Sequence, residues 1–328
     1  MVSVKSKEAL IPLAVASVLK KQKYQLVGRH SAVKRCHWFY RALTGRGYCY
    51  KQKWYNIKSH RCLQMTPCAI FCTNRCLSCW RLEPGDLGFE WDQMAILKED
   101  VDEPEEIVDE CIKAQRRILT GFNPVHHPLV SEKMWREALE PKHAAISLAG
   151  EPTLYSKLGD LIETFHKRGM TTFLVTNGAV PERLAEIEEP TQLYLTLYAP
   201  SEGVYKQVCR PLLKDAWNRV IESLALLKSF SCPTVVRLTL VKGLNFMEPE
   251  GYAKLIELAE PTYVECKSYV SVGMSLRRGL RNGNMLKVDE LRPFAEKIGE
   301  KLGYNIIGES VSSRVILLSR LSKPIKVA

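Results

Sequence analysis

The chain has 328 residues, of which 46% are hydrophobic, and its formal net charge is +11. This length can bury one large core with an extension, and no apolar stretch reaches the roughly 18 residues of a membrane span, so no membrane-spanning helix is expected. Eleven cysteines, seven of them between Cys36 and Cys79, favour metal binding in a reducing cytoplasm over a disulfide scaffold.

The first predicted element is an amphipathic helix over residues 10–19, interrupted by Pro12 and followed by Lys20 and Lys21. A signal peptide would instead need small residues at a cleavage site there. Residues 1–62 contain fourteen lysine and arginine residues and one acid, so the rest of the chain is nearly neutral. We call residues 1–63 the basic arm and expect it to be a separate unit.

Aromatic residues alternate with basic ones along the basic arm. Basic side chains neutralise phosphates and aromatic rings stack on splayed bases, which together favour RNA binding. The alternative is a solvated basic face whose aromatics form a small core. The aromatic residues are Tyr24, Trp38, Phe39, Tyr40, Tyr48, Tyr50, Trp54 and Tyr55. The RNA-binding candidates are Lys20, Lys21, Arg29, Lys34, Arg35 and Lys53.

Three cysteines of the arm, Cys36, Cys49 and Cys62, have twelve residues between neighbours. Three thiolates can hold a [4Fe–4S] cluster and leave one iron open for a small chelating substrate. A zinc site completed by His37 or His60 and a set of structural thiols are the alternatives. Lys51 follows Cys49, and a partly desolvated lysine beside a cationic cluster can lose its proton and attack a ketone. Its alternative role is a solvated contact to phosphate.

A C-x3-C-x2-C run follows, formed by Cys72, Cys76 and Cys79 after the apolar residues 69–71, and we predict that the first strand lies just before it and includes Cys68. Clusters that only carry electrons normally use four cysteines, whereas three leave one iron open. This spacing is the one that binds S-adenosylmethionine (SAM) for reductive cleavage to a 5′-deoxyadenosyl radical. Buried thiols or half of a zinc site are the alternatives, but zinc motifs usually come as paired C-x2-4-C units.

After this run, short apolar strands alternate with helices, which implies right-handed crossovers and a parallel sheet. We predict an α/β fold: an open, partial (β/α)6 barrel of the TIM type over residues 64–280, followed by a C-terminal extension, 281–328, with a helix and a strand. The predicted strands are 144–148, 171–175, 193–197, 235–241, 263–269 and 314–319. The predicted helices are 104–119, 154–167, 181–187, 215–229, 249–259 and 291–301.

The active site of such a fold lies where the strands end. Polar groups follow several predicted strands, and a glycine followed by a carboxylate at a strand end can grip the SAM ammonium. Gly and Pro also favour ordinary turns, so each group is weak evidence alone. The SAM-binding candidates are Gly150, Glu151, Asn177, Thr196 and Arg210.

Taken together, these segments resemble the archaeal 4-demethylwyosine synthases, a family of radical-SAM lyases that modify tRNA in the wybutosine pathway. The resemblance covers nearly the whole chain. It is carried by residues 27–34 (VGRHSAVK), 49–55 (CYKQKWY), 76–81 (CLSCWR), 147–153 (SLAGEPT), 176–178 (TNG), 197–200 (LYAP) and 237–243 (RLTLVKG). One departure is Ser78, where many radical-SAM enzymes carry an aromatic residue that contacts adenine.

The resemblance implies two [4Fe–4S] clusters, a SAM cluster on Cys72, Cys76 and Cys79 and a second on the arm cysteines. It also implies that Lys51 matches the lysine proposed to form a Schiff base with pyruvate. The implied substrate is phenylalanine tRNA with N1-methylguanosine 3′ of the anticodon, which gains two carbons of pyruvate. Eukaryotic relatives carry a flavodoxin-like domain that this sequence lacks, so we expect an external electron donor of the flavodoxin or ferredoxin type.

Two other functions compete with this one. The first is a different radical-SAM enzyme, such as an RNA methylase or a glycyl-radical activase. The second is an RNA-binding zinc or electron-transfer protein without catalysis. About eight irons per chain would indicate two clusters, whereas zinc would indicate the binding protein.

Overall fold

The computed structural model describes residues 9–90, residue 97 and residues 100–328, so the first eight residues of the basic arm lie outside it. Ten strands form one sheet in the order β1-β2-β3-β4-β5-β6-β7-β8-β10-β9. The strands are β1 Gln25–Val27, β2 Ser31–Val33, β3 Cys62–Thr66, β4 His143–Ile146, β5 Thr171–Thr176, β6 Gln192–Leu197, β7 Thr234–Leu240, β8 Tyr263–Ser268, β9 Asn305–Ser310 and β10 Val315–Ser319.

The middle six strands, β3 to β8, are all parallel, and antiparallel strands extend the sheet at both ends. The sheet does not close into a barrel, because β1 and β9 are its two edges. The predicted α/β architecture with six parallel strands and an added C-terminal helix and strand is therefore confirmed.

Helices connect the parallel strands and cover the sheet. They are α1 Leu13–Lys21, α2 His37–Leu43, α3 Tyr50–Tyr55, α4 Pro104–Thr120, α5 Glu132–Ala138, α6 Leu158–Lys167, α7 Pro181–Glu186, α8 Glu202–Cys209, α9 Ala216–Leu226, α10 Pro249–Ala259 and α11 Val288–Leu302. Several begin with proline at the first helical position, where its missing N–H has no intrahelical partner to lose. No helix in the described part of the chain is long and apolar enough to span a membrane.

The first parallel strand precedes Cys72 as predicted, but it is β3 and ends at Thr66, so the prediction that it includes Cys68 is wrong. In β3 the fully buried Leu63 and Met65 alternate with half-buried residues, the period-2 pattern of a strand. Residues 69–71 are instead a buried loop whose backbone is paired irregularly: Ala69 N–H donates to His30 O and Phe71 O accepts from Glu151 N–H. Strand β3 also runs across the boundary drawn after residue 63, so Cys62 belongs to the sheet.

The aromatic residues of the basic arm are mostly core rather than surface. Tyr24, Phe39, Tyr50, Trp54 and Tyr55 are buried. The last three pack in a separate hydrophobic cluster with side chains of β5, β6, β8 and β10. Helix α3 thus lies against the sheet, and the arm is part of the same packed molecule. This supports the small-core alternative for most of these rings, although Tyr48 remains 43% exposed.

Candidate active site

The cysteine run occupies the loop after β3, and its three cysteines line a cavity of about 230 Å³. The ends of the next three parallel strands line the same cavity through Gly150, Glu151, Asn177 and Thr196. The carboxyl ends of neighbouring parallel strands meet at one edge of a sheet, which explains why residues far apart in sequence converge here. The structure therefore brings together four of the five SAM-binding candidates and the predicted cluster ligands.

Glu151 is buried and organises this end of the sheet. Its Oε1 accepts hydrogen bonds from Thr153 Oγ1 and Thr176 Oγ1, both at 2.7 Å, and its Oε2 accepts from the Asn177 N–H at 2.7 Å. Burial raises the pKa of this carboxyl, while these hydrogen bonds oppose that rise. Among the described residues only the Asn177 N–H donates to Oε2, so this oxygen has a further lone pair with which it could accept from the ammonium of SAM.

Gly150 has no side chain because there is no room for one. Its φ is +65°, a left-handed conformation that other residues rarely adopt, and a Cβ atom would lie 1.7 Å from the carbonyl oxygen of Cys68. The turn therefore lets the loop before Cys72 approach the end of β4 at backbone distance. Glu151 N–H donates to Phe71 O at 2.8 Å across the same contact.

All three thiols of this loop line the cavity. Burial raises the pKa of Cys72 and, with the nearby Glu83, raises that of Cys79 to about 12. The pKa of Cys76 is raised first by a hydrogen bond to Cys209 and then by burial. Crowded, buried thiols hold their protons until a metal displaces them. This thiol set therefore fits an iron–sulfur cluster, and Asn177 Nδ2 lies 3.8 Å from Cys72 Sγ.

Arg210 and Ser78 differ in their position relative to this cavity. The side chain of Arg210 does not line it: the residue is exposed, and its Nε donates to the Arg75 carbonyl at 3.0 Å. Its assignment to SAM stays a prediction. Ser78 and Trp80 both line the cavity, and Trp80 is 43% exposed and stacks on the Arg81 guanidinium at 3.3 Å.

The arm cysteines converge from three elements. Cys36 precedes α2 and its Sγ accepts from the Phe39 N–H at 3.4 Å, Cys49 precedes α3, and Cys62 begins β3. Burial raises the pKa of Cys36 to about 11, with a further contribution from Cys49, and the pKa of Cys62 is raised by burial and by both other thiols. The three sulfurs are thus close enough to affect one another, which also suits an iron–sulfur cluster.

The zinc alternative gains no support from the described residues. Among them, no three His, Cys, Asp or Glu side chains are grouped tightly enough to ligate one metal ion. His60 Nε2 is engaged with Glu137 Oε2 at 2.7 Å. That geometry does not bear on an iron–sulfur cluster, because each cysteine there binds a separate iron.

Lys51 is half-buried and projects from α3 against the sheet. Its Nζ lies 3.9 Å from the centre of the Tyr194 ring and 4.8 Å from that of Phe173. Burial, followed by the nearby Arg237 cation, lowers the pKa of Lys51 to about 8. The surroundings therefore favour a reactive amine, in contrast to Lys53, which is exposed.

The aromatic rings that contact Lys51 belong to strands whose ends line the cavity of the cysteine run. The Tyr194 ring that Lys51 contacts is two residues before Thr196, and Phe173 is two residues before Val175. Thr196 and Val175 both line that cavity. Residues two apart on a strand share a face and are separated by about 7 Å. We call the face that carries these residues the inner face of the sheet.

The RNA-binding candidates differ in exposure. Lys20, Lys21, Arg35 and Lys53 are exposed. Arg29 is half-buried and pairs with Asp100 at 3.0 Å. Lys34 lies over the Tyr24 ring, 4.4 Å from its centre, and burial lowers its pKa to about 8. The first four are therefore best placed to contact phosphates.

Glu265 was not predicted as a site residue, and Arg237 was noted only as part of the segment 237–243. Arg237 Nε donates to Glu265 Oε2 at 2.8 Å, Arg237 Nη2 donates to Tyr50 Oη at 3.0 Å, and Tyr50 Oη donates to the same carboxylate oxygen at 3.0 Å. The signal was available, because a glutamate inside a predicted buried strand needs a partner and an arginine lies in the strand before it.

Glu83 and Arg278 were also missed. Glu83 lines the cavity, and burial raises its pKa to about 7. Arg278 donates to the Cys79 carbonyl and pairs with Asp86 at 2.6 Å, which ties a distant segment to the cysteine loop. No local pattern in the sequence indicates a contact over this separation.

Comparison with known proteins agrees with this geometry. Residues 67–256 match the family model described as the radical SAM superfamily, and residues 258–320 match the one described as wyosine base formation. The S-adenosyl-L-methionine-dependent tRNA 4-demethylwyosine synthase of Pyrococcus abyssi is 51% identical over 94% of this chain and 90% of its own length. The protein of the same description from Methanocaldococcus jannaschii is 40% identical over 96% and 99%.

A solved structure is also similar. It is a structure of TYW1 with a lysine-pyruvate adduct bound, and it matches with a TM-score of 0.86 and 37% sequence identity. The match covers 97% of this chain and 99% of the other. The similarity thus extends over the basic arm and the C-terminal extension as well as the parallel strands.

Proposed function

Since this chain belongs to the family of S-adenosyl-L-methionine-dependent tRNA 4-demethylwyosine synthases, which are radical-SAM enzymes, we propose that it condenses N1-methylguanosine in tRNA-Phe with pyruvate. The modified base is the guanosine 3′ of the anticodon, and the product is 4-demethylwyosine. Two [4Fe–4S] clusters, an external donor of the flavodoxin or ferredoxin type and a cytoplasmic site of action are parts of this proposal.

The observation that carries the proposal is the position of Lys51 on the inner face, next to the cavity of the cysteine run. A radical formed in that cavity has to reach a carbon held nearby, and the two sites are separated by about two residues of strand. The related structure holds a lysine-pyruvate adduct, and Lys51 is a half-buried lysine whose amine lies against the inner face, in a position to form one here.

The proposed cluster ligands form two separate sites. Cys72, Cys76 and Cys79 would hold the SAM cluster, and Cys36, Cys49 and Cys62 the second one. When bound, the first cluster supplies the electron that cleaves SAM, and the resulting radical takes hydrogen from the N-methyl group of the base. Glu151 and Asn177 would orient SAM, since both line the cavity and are fixed by hydrogen bonds to one another.

Lys51 would act on pyruvate. Its neutral amine attacks the keto carbon, water leaves, and the resulting Schiff base holds that carbon for the new bond to the N-methyl carbon. The bond to the pyruvate carboxylate then breaks, the carboxylate leaves as CO2, and the electron used to cleave SAM is recovered. The exocyclic amine of guanine attacks the Schiff-base carbon, displaces the Lys51 amine and closes the third ring. The base must leave the anticodon stack to reach the site, at a cost of a few kcal/mol. The exposed lysines of the arm would hold the loop meanwhile.

The test is anaerobic turnover of the reconstituted enzyme with N1-methylguanosine tRNA-Phe, pyruvate, SAM and a reductant, with mass spectrometry of the nucleosides. Conversion to 4-demethylwyosine supports the proposal. Deoxyadenosine formation without a tricyclic base would indicate a different radical-SAM reaction. Binding of zinc without SAM cleavage would indicate the non-catalytic RNA-binding protein.

A further inference from the structure

Cationic side chains outnumber carboxylates on the inner face around Lys51. Arg237 and Lys267 project there from β7 and β8, and Glu265 is the acid among them. Glu265 is fully buried, and its Oε2 is shared by Arg237 and Tyr50. Among the described residues, neither Lys51 nor Lys267 forms an ion pair with any carboxylate. The pocket thus carries excess positive charge that an anionic ligand could neutralise.

Lys267 makes fewer polar contacts than Arg237. Its Nζ donates to the Ser313 carbonyl at 2.6 Å and lies 5.5 Å from the centre of the Tyr50 ring. An ammonium has three N–H donors, so two remain for a ligand. Arg237, in contrast, is held by Glu265 and Tyr50, which fixes its guanidinium in place.

The strand register places Lys267 between the two sites. Thr239 of β7 pairs with Lys267 of β8, two residues further along the strands than the Arg237–Glu265 pair. Thr239 lines the cavity of the cysteine run. Side chains of residues paired on neighbouring strands lie next to each other on one face. Lys267 is therefore at the level of that cavity, while Tyr50, whose ring it faces, is the neighbour of Lys51 in α3.

We propose that Lys267 binds the carboxylate of the 2-oxo acid whose keto carbon reacts with Lys51, and so selects a charged substrate. This inference rests on the proposed function. In pyruvate the keto carbon is bonded directly to the carboxylate carbon, so one amine can attack the first while a neighbouring ammonium holds the second. The hydrogen bond between an ammonium and a carboxylate is about twice as strong as a neutral one.

The test compares pyruvate with its neutral methyl ester. Reconstituted enzyme is treated with borohydride and each compound, and the adduct on Lys51 is quantified by peptide mass spectrometry. We expect the wild type to favour pyruvate, and Lys267→Met to need about 10- to 100-fold more pyruvate while trapping the ester as well as the wild type does. Lys267→Arg should restore part of the preference.

Lys254→Met, an exposed lysine of α10, is the matched control and should behave as the wild type. Lys267→Gln, read alongside deoxyadenosine formation, covers the case in which the Met variant folds poorly. A wild-type preference for pyruvate that persists in Lys267→Met and Lys267→Gln, or an equal loss of both adducts in these two variants, would overturn the inference and leave the proposed function standing. No adduct on wild-type Lys51 with either compound would overturn the Schiff-base step as well.

Discussion

Lys51 differs from the exposed lysines of the arm in the surroundings of its amine, and this predicts a distinct pH dependence. An amine attacks a ketone only when it is neutral. The pKa of Lys51 is lowered to about 8 from an ordinary value of 10.5. Borohydride trapping of pyruvate on Lys51 should therefore rise with pH up to about 8 and then level off. Peptide mass spectrometry across pH 6 to 10 measures this.

A lysine-containing model peptide provides the control: its amine has a pKa near 10.4, so its adduct should continue to rise toward pH 10. A Lys51 adduct that also keeps rising above pH 9 would contradict a lowered pKa.

A single cysteine of the cavity loop should be indispensable. Cys76→Ala leaves two thiolates there, which cannot keep the cluster and its open iron in place, so we expect loss of SAM cleavage. Deoxyadenosine is measured by chromatography after reduction. Cys111→Ala, which removes a buried thiol of α4 outside both triplets, is the control and should retain cleavage. Undiminished deoxyadenosine from the Cys76 variant would refute the assignment.

The arm cysteines should show a different phenotype. Cys49→Ala is expected to keep measurable SAM cleavage but to form no tricyclic base, because the second site is separate from the site of radical formation. Iron content should fall by about half relative to the wild type. Colorimetric iron and elemental zinc analysis measure this, and unchanged iron or the presence of zinc would argue against two clusters.

At the level of elements, the turn after β4 predicts a sharp difference between two glycines. Gly150 and Gly303 have nearly equal φ angles, +65° and +66°, but only Gly150 has backbone within contact of a Cβ atom. Gly303→Ala should cost about 1 to 2 kcal/mol for the left-handed conformation alone. Gly150→Ala should cost more and weaken SAM binding, because the Cys68 carbonyl must move. Chemical denaturation and equilibrium dialysis with SAM measure both effects, and similar losses in both variants would contradict the packing argument.

The sequence predicts the elements well where strands and helices alternate regularly. Every predicted parallel strand after β3 is present, since continuous apolar runs between turn residues are typical of buried parallel strands. The exception is β3, because its alternating pattern is a weaker strand signal than the continuous apolar run in the loop after it. The strand β9 was missed for a related reason, because its residues are half-buried or exposed and give no clear apolar period. Local patterns thus identify strongly buried elements and fail at the edges of the sheet.

The charge distribution of the whole molecule predicts salt-sensitive binding of tRNA. Lys20 and Lys21 are exposed at the end of α1. If each contacts a phosphate, the double alanine variant should reduce the slope of log affinity against log salt by about 1.4, since single strands contribute about 0.7 per contact. Lys297→Ala on α11 is the control for an exposed lysine outside the arm. Filter binding between 50 and 300 mM salt measures the slope, and equal slopes in all three proteins would exclude these contacts.

The site could be predicted only where its residues follow recognisable motifs. The cysteine triplets, Lys51 and the strand-end groups all occur in short, chemically distinctive segments. The roles of Glu265 and Lys267 depend on the register between β7 and β8 and on the position of α3. No short segment of the sequence encodes either of these. Long-range packing determines which charged side chains share a pocket.

Helix α3 is held in place by residues that are synthesised long after it. The Lys326 ammonium donates to the carbonyls of Lys53 and Trp54, and the Val327 N–H donates to the Tyr55 carbonyl at 3.2 Å. Contacts of such high sequence separation form slowly. A nascent chain on the ribosome can therefore complete the strands around the SAM cavity before it can lock the helix that carries Lys51. The helix that carries Lys51 would then be among the last of the described elements to take its final position.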